Sequence, residues 1–302
     1  MRRSPSSSLP PGFTSKALGS LQRLQQGLST LELVHTPHGH WPYRPEQFHM
    51  RKSCPLRVSV LDSSFNPPTL AHLALARSSP RGPTDQAVSA SEIDYDARLL
   101  LLSVRNVEKS LVPGDATYVQ RLEMMYLLSL GTVYIGNNVA VAIIDQPTFV
   151  GKSTILHSFF QSKLASMHTP LAAGMGALHR PKLTFLLGSD TLVRVFAPKF
   201  YASEEEMTRL LQNFLFPDGQ DCQIICAHRP NVTIDEEVKR MALNAYRKFV
   251  DRERIHFINI GDDEQTLSST QVRVTVAAGK DDWKRLVTDL VANYIIENGL
   301  YV

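Results

Sequence analysis

The sequence predicts an α/β fold of the Rossmann-like, doubly wound type: a parallel sheet with helices on both faces, followed by a C-terminal helical segment. Short apolar strands alternate with amphipathic helices, the pattern of βαβ units. The 302 residues are 43% hydrophobic and 20% charged, as in ordinary globular domains. In such sheets ligands bind beyond the carboxyl ends of the strands, so functional residues are expected where a strand leads into a helix.

Strands and helices are predicted along the whole chain beyond residue 50. The predicted strands are 57–61, 98–104, 139–144, 182–187, 221–226 and 254–260. The predicted helices are 69–77, 117–130, 154–167, 204–214, 234–249, 269–278 and 282–297. Ser203 with Glu206 and Thr233 with Glu236 have the spacing of capping boxes, in which side chains satisfy the free N–H groups of a helix start.

The N-terminal segment has a different composition from the rest. Residues 1–50 are rich in Pro, Ser and His, which predicts a partly disordered extension before a domain at 51–302. A short helix would place four leucines on one side: Leu18, Leu21, Leu24 and Leu28. The first 30 residues are also basic, serine-rich and free of acids, as in a mitochondrial transit peptide. We prefer a plain tail, and so expect a cytoplasmic or nuclear protein, with a mitochondrial one as the alternative.

The charge balance and the cysteines exclude several classes of function. With 32 basic and 29 acidic residues, the net charge of +3 favours neither a nucleic-acid nor a membrane partner. No run approaches the roughly 18 apolar residues of a membrane span. Cys54, Cys222 and Cys226 are a sparse, odd set, as expected in a reducing compartment. Cys222 and Cys226 fall in a predicted strand, and a zinc site would need two further ligands.

The segment after the first predicted strand indicates a phosphate site. It reads Leu-Asp-Ser-Ser-Phe-Asn-Pro-Pro-Thr-Leu-Ala-His over 61–72. The two prolines favour an extended turn and then a helix start with free N–H groups. Thr69 and His72 share one face of that positive helix end, where a hydroxyl and an imidazole suit an anion. A capping threonine and a buried histidine would explain either residue alone, but not the whole string.

A second helix start near the C-terminus has the same character. The sequence Leu-Ser-Ser-Thr-Gln-Val-Arg over 267–273 follows the last predicted strand. Ser268 and Gln271 form a capping box, and the hydroxyls with Arg273 make a second anion site. Two such helix starts predict a ligand with several phosphates.

These two segments resemble the signatures of the cytidylyltransferase-like nucleotidyltransferase superfamily: a Gly-x-Phe-Asx-Pro turn with Thr-x-x-His, and Ile-Ser-Ser-Thr-x-x-Arg. The form with threonine first resembles the nicotinamide/nicotinate mononucleotide adenylyltransferase family, and in detail its divergent fungal promoter-of-filamentation branch. The resemblance covers roughly 55–302 and implies that 51–302 is a nucleotidyltransferase domain. Ser63 stands where the family usually has glycine, and Ala71 replaces the glycine of the family's alternative His-x-Gly-His motif.

The resemblance also implies roles for individual residues. His72, Thr69 and Arg273 would be catalytic, Lys109 would approach the acceptor mononucleotide, and Tyr201 would form an aromatic wall for its ring. The family's tryptophan pair after the third strand is missing, and Phe149 is the nearby aromatic residue. The ATP-binding residues would be Ser63, Ser64, Phe65, His72, Gly188, Asp190, Ser269, Thr270, Gln271, Val272 and Arg273.

The implied reaction is transfer of AMP from ATP to nicotinamide mononucleotide, giving NAD and pyrophosphate. Mg²⁺ would be carried by the ATP phosphates, with no metal site on the protein. Two alternatives stay open: a sister adenylyl- or cytidylyltransferase with another phosphorylated acceptor, and a non-catalytic nucleotide-binding regulator with the same fold. Protein partners and the oligomeric state are not predicted.

Two further patterns are interpreted as unrelated to the site. The stretch Val-Gly-Lys-Ser-Thr at 150–154 resembles the end of a P-loop, but that motif needs a glycine where Gln146 stands. Four histidines fall in the Pro-rich N-terminal segment without the ordered spacing of a zinc site. They are His35, His38, His40 and His49.

Overall fold

The computed structural model describes residues 9–45, 55–79, 94–105, 113–132, 138–167, 180–227 and 246–302. The strands are β1 (Leu31–His35), β2 (Arg57–Asp62), β3 (Ala97–Ser103), β4 (Val139–Ile144), β5 (Lys182–Gly188), β6 (Gln223–Ala227) and β7 (Ile255–Ile258). The helices are α1 (Phe13–Gln25), α2 (Leu70–Arg77), α3 (Tyr118–Leu130), α4 (Phe149–Met167), α5 (Ser189–Val195), α6 (Glu204–Leu215), α7 (Ser269–Ala277) and α8 (Asp289–Glu297).

The seven strands form one sheet in the order β1-β4-β3-β2-β5-β6-β7. Strands β2 to β7 are parallel, and β1 adds an antiparallel edge beside β4. The chain moves outward from β2 through β3 to β4, then returns to place β5 on the other side of β2. This reversal makes the carboxyl ends of β2 and β5 the topological switch point, where α/β sheets bind ligands. The predicted doubly wound α/β fold is confirmed.

Hydrophobic cores lie on both faces of the sheet because alternate side chains of each strand point to opposite sides. All six residues of β4 are buried, which is typical of a strand covered on both faces. Helices α4, α5 and α6 cover one face, and α1, α2 and α3 cover the other. A third cluster packs α7 and α8 against α2 and α3. It anchors the C-terminal segment beside the switch point.

The N-terminal segment differs from its prediction. The predicted domain began at residue 51, but α1 packs on α3 and β1 pairs with β4, so both belong to the domain. Leu21 and Leu24 are buried with Phe13, whereas Leu18 and Leu28 are exposed. The predicted leucine stripe was therefore half wrong. Strand β1 lies at the edge of the sheet and is only partly buried. It does not need an apolar run like those that identified the other strands, and its sequence has none.

Other element boundaries agree with their predictions to within a few residues, with two exceptions. Helix α4 begins at Phe149, five residues before its predicted start, so the P-loop-like stretch lies inside a helix. The predicted helix 282–297 divides into a 3-10 segment, Asp282–Leu286, and α8, whose N-terminus is capped by Thr288. The Ser203 cap is confirmed, while the Thr233 cap and most of 234–249 lie outside the described residues. Within the described chain, no helix has the length and apolar character needed to cross a bilayer.

Candidate active site

The turn between β2 and α2 brings the first predicted phosphate-binding segment to the switch point. The turn holds Phe65 at φ 44, a left-handed conformation that bulky residues rarely adopt. Such conformations persist where the surrounding structure enforces them, often at functional sites. The Phe65 side chain is fully buried, with its ring centroid 5.2 Å from that of His72. Phe65 can therefore reach a nucleotide only through its backbone.

His72 is fixed at the start of α2 by bonds that determine its tautomer. The backbone N–H of Thr69 donates to Nδ1 over 3.0 Å, and the Thr69 hydroxyl lies 2.9 Å from the same nitrogen. Because a backbone N–H can only donate, Nδ1 is the acceptor and the neutral ring carries its proton on Nε2. Nε2 is thus a donor directed into the cleft beyond β2, as phosphate binding requires.

Ser63 provides the present partner of that donor. Its Oγ lies 2.9 Å from His72 Nε2. Ser63 is absent from the positive-φ residues of the described chain, so a serine replaces the family's glycine here without backbone strain. The serine at position 63 therefore gives His72 a side-chain partner and does not change the path of the backbone.

The second predicted segment begins α7 and is joined directly to the first. Ser268 caps the helix by accepting from the N–H of Gln271 over 3.1 Å. Ser269 donates from Oγ to the carbonyl oxygen of Pro67 over 2.7 Å, and Arg273 donates from Nη1 to that of Asn66 over 2.6 Å. The two helix starts therefore border one cleft, as the motifs predicted.

The remaining residues of the α7 segment divide by side-chain exposure. The Arg273 guanidinium also donates from Nη2 to the Thr270 hydroxyl over 3.3 Å. Val272 is fully buried, while Gln271 is exposed with its N–H already engaged by the cap. Ser269, Thr270 and Arg273 consequently line the cleft, whereas Val272 and Gln271 line neither of its compartments.

A hydrogen-bonded network beneath the first turn was not predicted. Asn66 donates from its amide to Asp115 Oδ1 over 2.6 Å and accepts from the Tyr301 hydroxyl over 2.9 Å. Arg121 donates to Asp115 Oδ2 over 3.2 Å, and Arg273 Nε lies 3.8 Å from Oδ1. Burial lowers the pKa of the Arg121 guanidinium, while the Asp115 charge opposes that shift. The network fixes Asn66 and holds two guanidinium groups at the cleft.

The cleft has two connected compartments that share the residues after β2 and β5. The smaller has a volume of about 140 Å³ and is lined by His72, Gly188, Asp190 and the α7 start. The larger has a volume of about 840 Å³. Ser63, Ser64 and Asp190 line both. Most of the predicted ATP residues thus lie around the smaller compartment and its junction with the larger, whereas Phe65, Gln271 and Val272 line neither.

The larger compartment contains the predicted aromatic residues. Tyr201 and Phe149 both line it, together with Phe200. The Tyr201 hydroxyl donates to the carbonyl oxygen of Val195 over 2.7 Å, and burial raises the pKa of Tyr201 to about 12. Its ring is therefore held in place as a neutral wall of the compartment. Lys109, the predicted acceptor contact, lies outside the described residues.

The charged side chains that line the larger compartment favour an anionic ligand. Five cations face three carboxylates, an excess of two positive charges. The cations are Arg105, Arg121, Lys152, Arg194 and Arg273, and the carboxylates are Asp62, Asp115 and Asp190. Such an excess, in a cleft with helix starts, raises the local concentration of phosphorylated ligands.

Sequence comparisons identify similar proteins. "Putative nicotinamide mononucleotide adenylyltransferase" of Schizosaccharomyces pombe is 29% identical over 240 residues, covering 76% of this chain and 80% of that protein. "Probable nicotinate-nucleotide adenylyltransferase" of Gloeobacter violaceus is 25% identical over 245 residues, covering 81% of this chain and 96% of that protein. No protein-family model matches the chain.

Solved structures of similar proteins include the Plasmodium falciparum nicotinic acid mononucleotide adenylyltransferase complexed with NaAD. It aligns with a TM-score of 0.47 and 18% identity over 81% of this chain and 97% of that chain. The two curated relatives and the two motifs at one cleft agree on one assignment. Over more than three quarters of its length, the chain is similar in sequence to proteins described as nicotinamide or nicotinate mononucleotide adenylyltransferases.

Proposed function

We propose that the protein transfers the adenylyl group of ATP to nicotinamide mononucleotide, giving NAD and pyrophosphate. The observation that carries the proposal is that hydrogen bonds join two helix starts of the kind that binds anions. Ser269 donates to the carbonyl oxygen of Pro67, and Arg273 donates to that of Asn66. One helix start alone is common in α/β proteins, but two at the switch point suit a triphosphate. The names of the two curated relatives support a pyridine mononucleotide as the acceptor.

The reaction needs positioning and charge stabilisation rather than a protein nucleophile. A phosphate oxygen of the acceptor attacks the α-phosphorus of ATP, the bond from that phosphorus to the bridging oxygen breaks, and pyrophosphate leaves with its electrons. The acceptor phosphate is already an anion at neutral pH. Catalysis therefore depends on holding the two substrates in line and stabilising the charge that develops on the phosphates.

His72 is placed to act at the α-phosphate, and the buried Thr69 is placed to hold its ring. The Nε2–H of His72 would leave Ser63 and donate to a non-bridging oxygen, while the Thr69 hydroxyl stays buried against Nδ1 on the other side of the ring. Thr69 also keeps the ring in the required tautomer through its backbone N–H. A preorganised donor of this kind stabilises a transition state by about 2.7–4 kcal/mol when water is excluded.

Ser269, Thr270 and Arg273 would hold the leaving pyrophosphate. Arg273 keeps its guanidinium plane through Asn66 and Thr270, which leaves it oriented for bidentate contact with phosphate oxygens. The charges of Asp62 and Asp115, two of the carboxylates in the cleft, are compensated by Lys152 and by Arg121. This charge compensation fits a Mg²⁺ ion that is held by phosphate oxygens and water. Such an ion would neutralise charge on the polyphosphate.

Pyrophosphate release with purified full-length protein tests the proposal. ATP and Mg²⁺ would be combined in turn with nicotinamide mononucleotide, nicotinate mononucleotide, phosphopantetheine and phosphocholine. We expect release with nicotinamide mononucleotide and a matching amount of NAD. Release with phosphopantetheine or phosphocholine alone would favour a sister transferase. Binding of ATP without release of pyrophosphate from any acceptor would favour a non-catalytic regulator. The alternative is tested because Ser63 occupies the nitrogen of His72 that the reaction needs as a donor.

A further inference from the structure

A buried ion pair lies in the wall of the larger compartment and has no role in the transfer chemistry of His72 and Arg273. The Lys152 ammonium, in the first turn of α4, contacts the Oδ2 of Asp62, the last residue of β2. Their side chains are 5% and 7% exposed. Both residues line the larger compartment, and Asp62 also lines the smaller one. The pair therefore lies at the cleft, at the end of the strand that leads into the phosphate turn.

The hydrogen-bonding capacity of this pair is only partly used. An ammonium has three N–H donors, and an ionised carboxylate accepts at both oxygens. Within the described chain, Lys152 has Asp62 Oδ2 as its hydrogen-bond partner and the Phe149 ring as a second contact, with Nζ 5.0 Å from the ring centroid. No described residue donates to Asp62 Oδ1. Burying an ion pair is costly unless its remaining donors and acceptors find partners. A ligand group could supply them.

Phe149 connects this pair to the expected position of the acceptor's ring. Phe149 and Tyr201 are two of the aromatic residues that line this compartment, and either could stack on a pyridine ring. A pyridine ring that packs against Phe149 comes within reach of the Lys152 ammonium, because Nζ lies only 5.0 Å from the centroid of the Phe149 ring. The substituent of that pyridine ring is the group in which nicotinamide and nicotinate differ.

We propose that the Lys152–Asp62 pair recognises the carboxamide of the nicotinamide ring and thereby selects nicotinamide mononucleotide over nicotinate mononucleotide. The inference rests on the proposed function. The amide oxygen accepts from Lys152 and the amide NH₂ donates to Asp62 Oδ1, which matches both unused capacities of the pair. The carboxylate of nicotinate has no N–H to donate, so it faces Asp62 with like charge and leaves Oδ1 unsatisfied.

The two acceptors should therefore differ strongly in kcat/KM. Sites built to hydrogen-bond a substrate NH or OH reject analogues that lack it by factors far above those of simple apolar pockets. We expect the parent to favour nicotinamide mononucleotide by at least about a hundredfold. Asp62→Asn removes the repelling charge and supplies an amide that can donate. In that variant, the ratio of kcat/KM for nicotinamide mononucleotide to kcat/KM for nicotinate mononucleotide should fall at least about tenfold. The fall should come chiefly from a higher kcat/KM with nicotinate mononucleotide.

The experiment measures kcat/KM for both acceptors at saturating ATP, with thermal melts of each variant. Asp145→Asn is the matched control, since Asp145 pairs with Arg105 just after β4, two strands from β2, and its loss removes the same charge. The control should keep the parent's ratio. If Asp62→Asn fails to fold, the double variant Asp62→Asn with Lys152→Gln, which removes both charges, should likewise lower the ratio.

Four results would overturn the inference. A folded Asp62→Asn or double variant with the parent's ratio would make the pair a structural link between β2 and α4. A parent that prefers nicotinate mononucleotide would contradict the selection itself, while leaving adenylyl transfer intact. An Asp145→Asn control that shifts the ratio equally would assign the effect to the overall charge of the cleft. If neither mononucleotide releases pyrophosphate, the proposed function fails, and the inference fails with it.

Discussion

Arg273 donates a hydrogen bond from Nη1 to the backbone carbonyl oxygen of Asn66, 2.6 Å away, although 207 positions separate the two residues. The contact ties the start of α7 to the turn before α2. Ser269, which donates to Pro67, makes a second tie between the same segments. The two predicted phosphate-binding motifs are thus joined by two hydrogen bonds, and mutations in one should affect ligands held by the other.

Arg273→Lys should weaken ATP binding about tenfold while the net charge stays the same. A guanidinium can bridge two phosphate oxygens and still contact Asn66, whereas an ammonium cannot match that geometry. Isothermal titration with ATP measures the effect. Arg209→Lys is the control, because Arg209 pairs with Glu206 on the exposed face of α6. Equal affinity for ATP in Arg273→Lys and the parent would show that Arg273 does not bind the polyphosphate.

Ser63→Ala should tighten ATP binding, by about two- to tenfold, which corresponds to one net hydrogen bond. The Ser63 hydroxyl lies 2.9 Å from His72 Nε2, so a phosphate must replace it as the partner of that N–H. The alanine removes this competition and leaves the backbone unchanged. Weaker ATP binding in Ser63→Ala would instead mean that the hydroxyl itself contacts the nucleotide.

The sequence predicts the parallel strands and both helix starts well because their signals are local. Strand β4 is an apolar run between polar segments, and its bounds agree with the prediction. Strand β1 was not predicted because an edge strand of five residues, mostly half-buried, has little apolar pattern. The start of α4 was placed too late, within a segment that contains Gly151, a residue that disfavours helix interiors.

The site shows the same division between local and long-range signals. His72 and Thr69 are three residues apart, so their spacing alone placed them on one face of the helix start, where the structure shows them in contact. Asp115 and Tyr301 meet Asn66 only in the folded chain, 49 and 235 positions away. No pattern of neighbouring residues specifies such partners. The Lys152–Asp62 pair is a further example, since Lys152 was noticed only as part of a P-loop-like stretch.

Acidification should destabilise the protein between about pH 6.5 and 4 through His157. Burial, followed by the charge of Arg180, lowers the pKa of folded His157 to about 4, below the unfolded value of about 6.5. The unfolded state therefore binds the proton first. The stabilisation is complete above about pH 6.5, is lost progressively as the pH falls, and has gone below about 4.

Thermal melts from pH 7.5 to 4 test this dependence. His157→Gln should flatten the decrease by up to about 1.4 kcal/mol per pH unit. His35, whose pKa burial also lowers to about 4, should contribute separately, so His157→Gln should not abolish the decrease. Parallel curves for the parent and His157→Gln would contradict the buried neutral state of this imidazole.

Deleting residues 1–27 should destabilise the fold, whereas deleting 1–12 should change it little. Helix α1 buries Phe13, Leu21 and Leu24, each worth about 1.5–3 kcal/mol when fully buried. Thr14 also donates to the Glu123 carboxylate, which accepts from Tyr294 of α8. Thermal melts of the two truncations give the comparison. A large loss from the shorter deletion alone would show that the residues before α1 contribute more than the helix.

The turnover of His72→Ala tests the central claim most directly, with nicotinamide mononucleotide as acceptor and ATP affinity measured in parallel. The proposed function predicts that kcat falls at least about a hundredfold, or about 2.7 kcal/mol, because the Nε2–H stabilises the transition state. ATP affinity should change less than about threefold. His157→Gln, at a buried histidine outside the residues that line the cleft, should keep the parent's kcat at pH 7.5. An unchanged kcat in folded, ATP-binding His72→Ala would contradict the assignment of this helix start as the adenylyl-transfer centre.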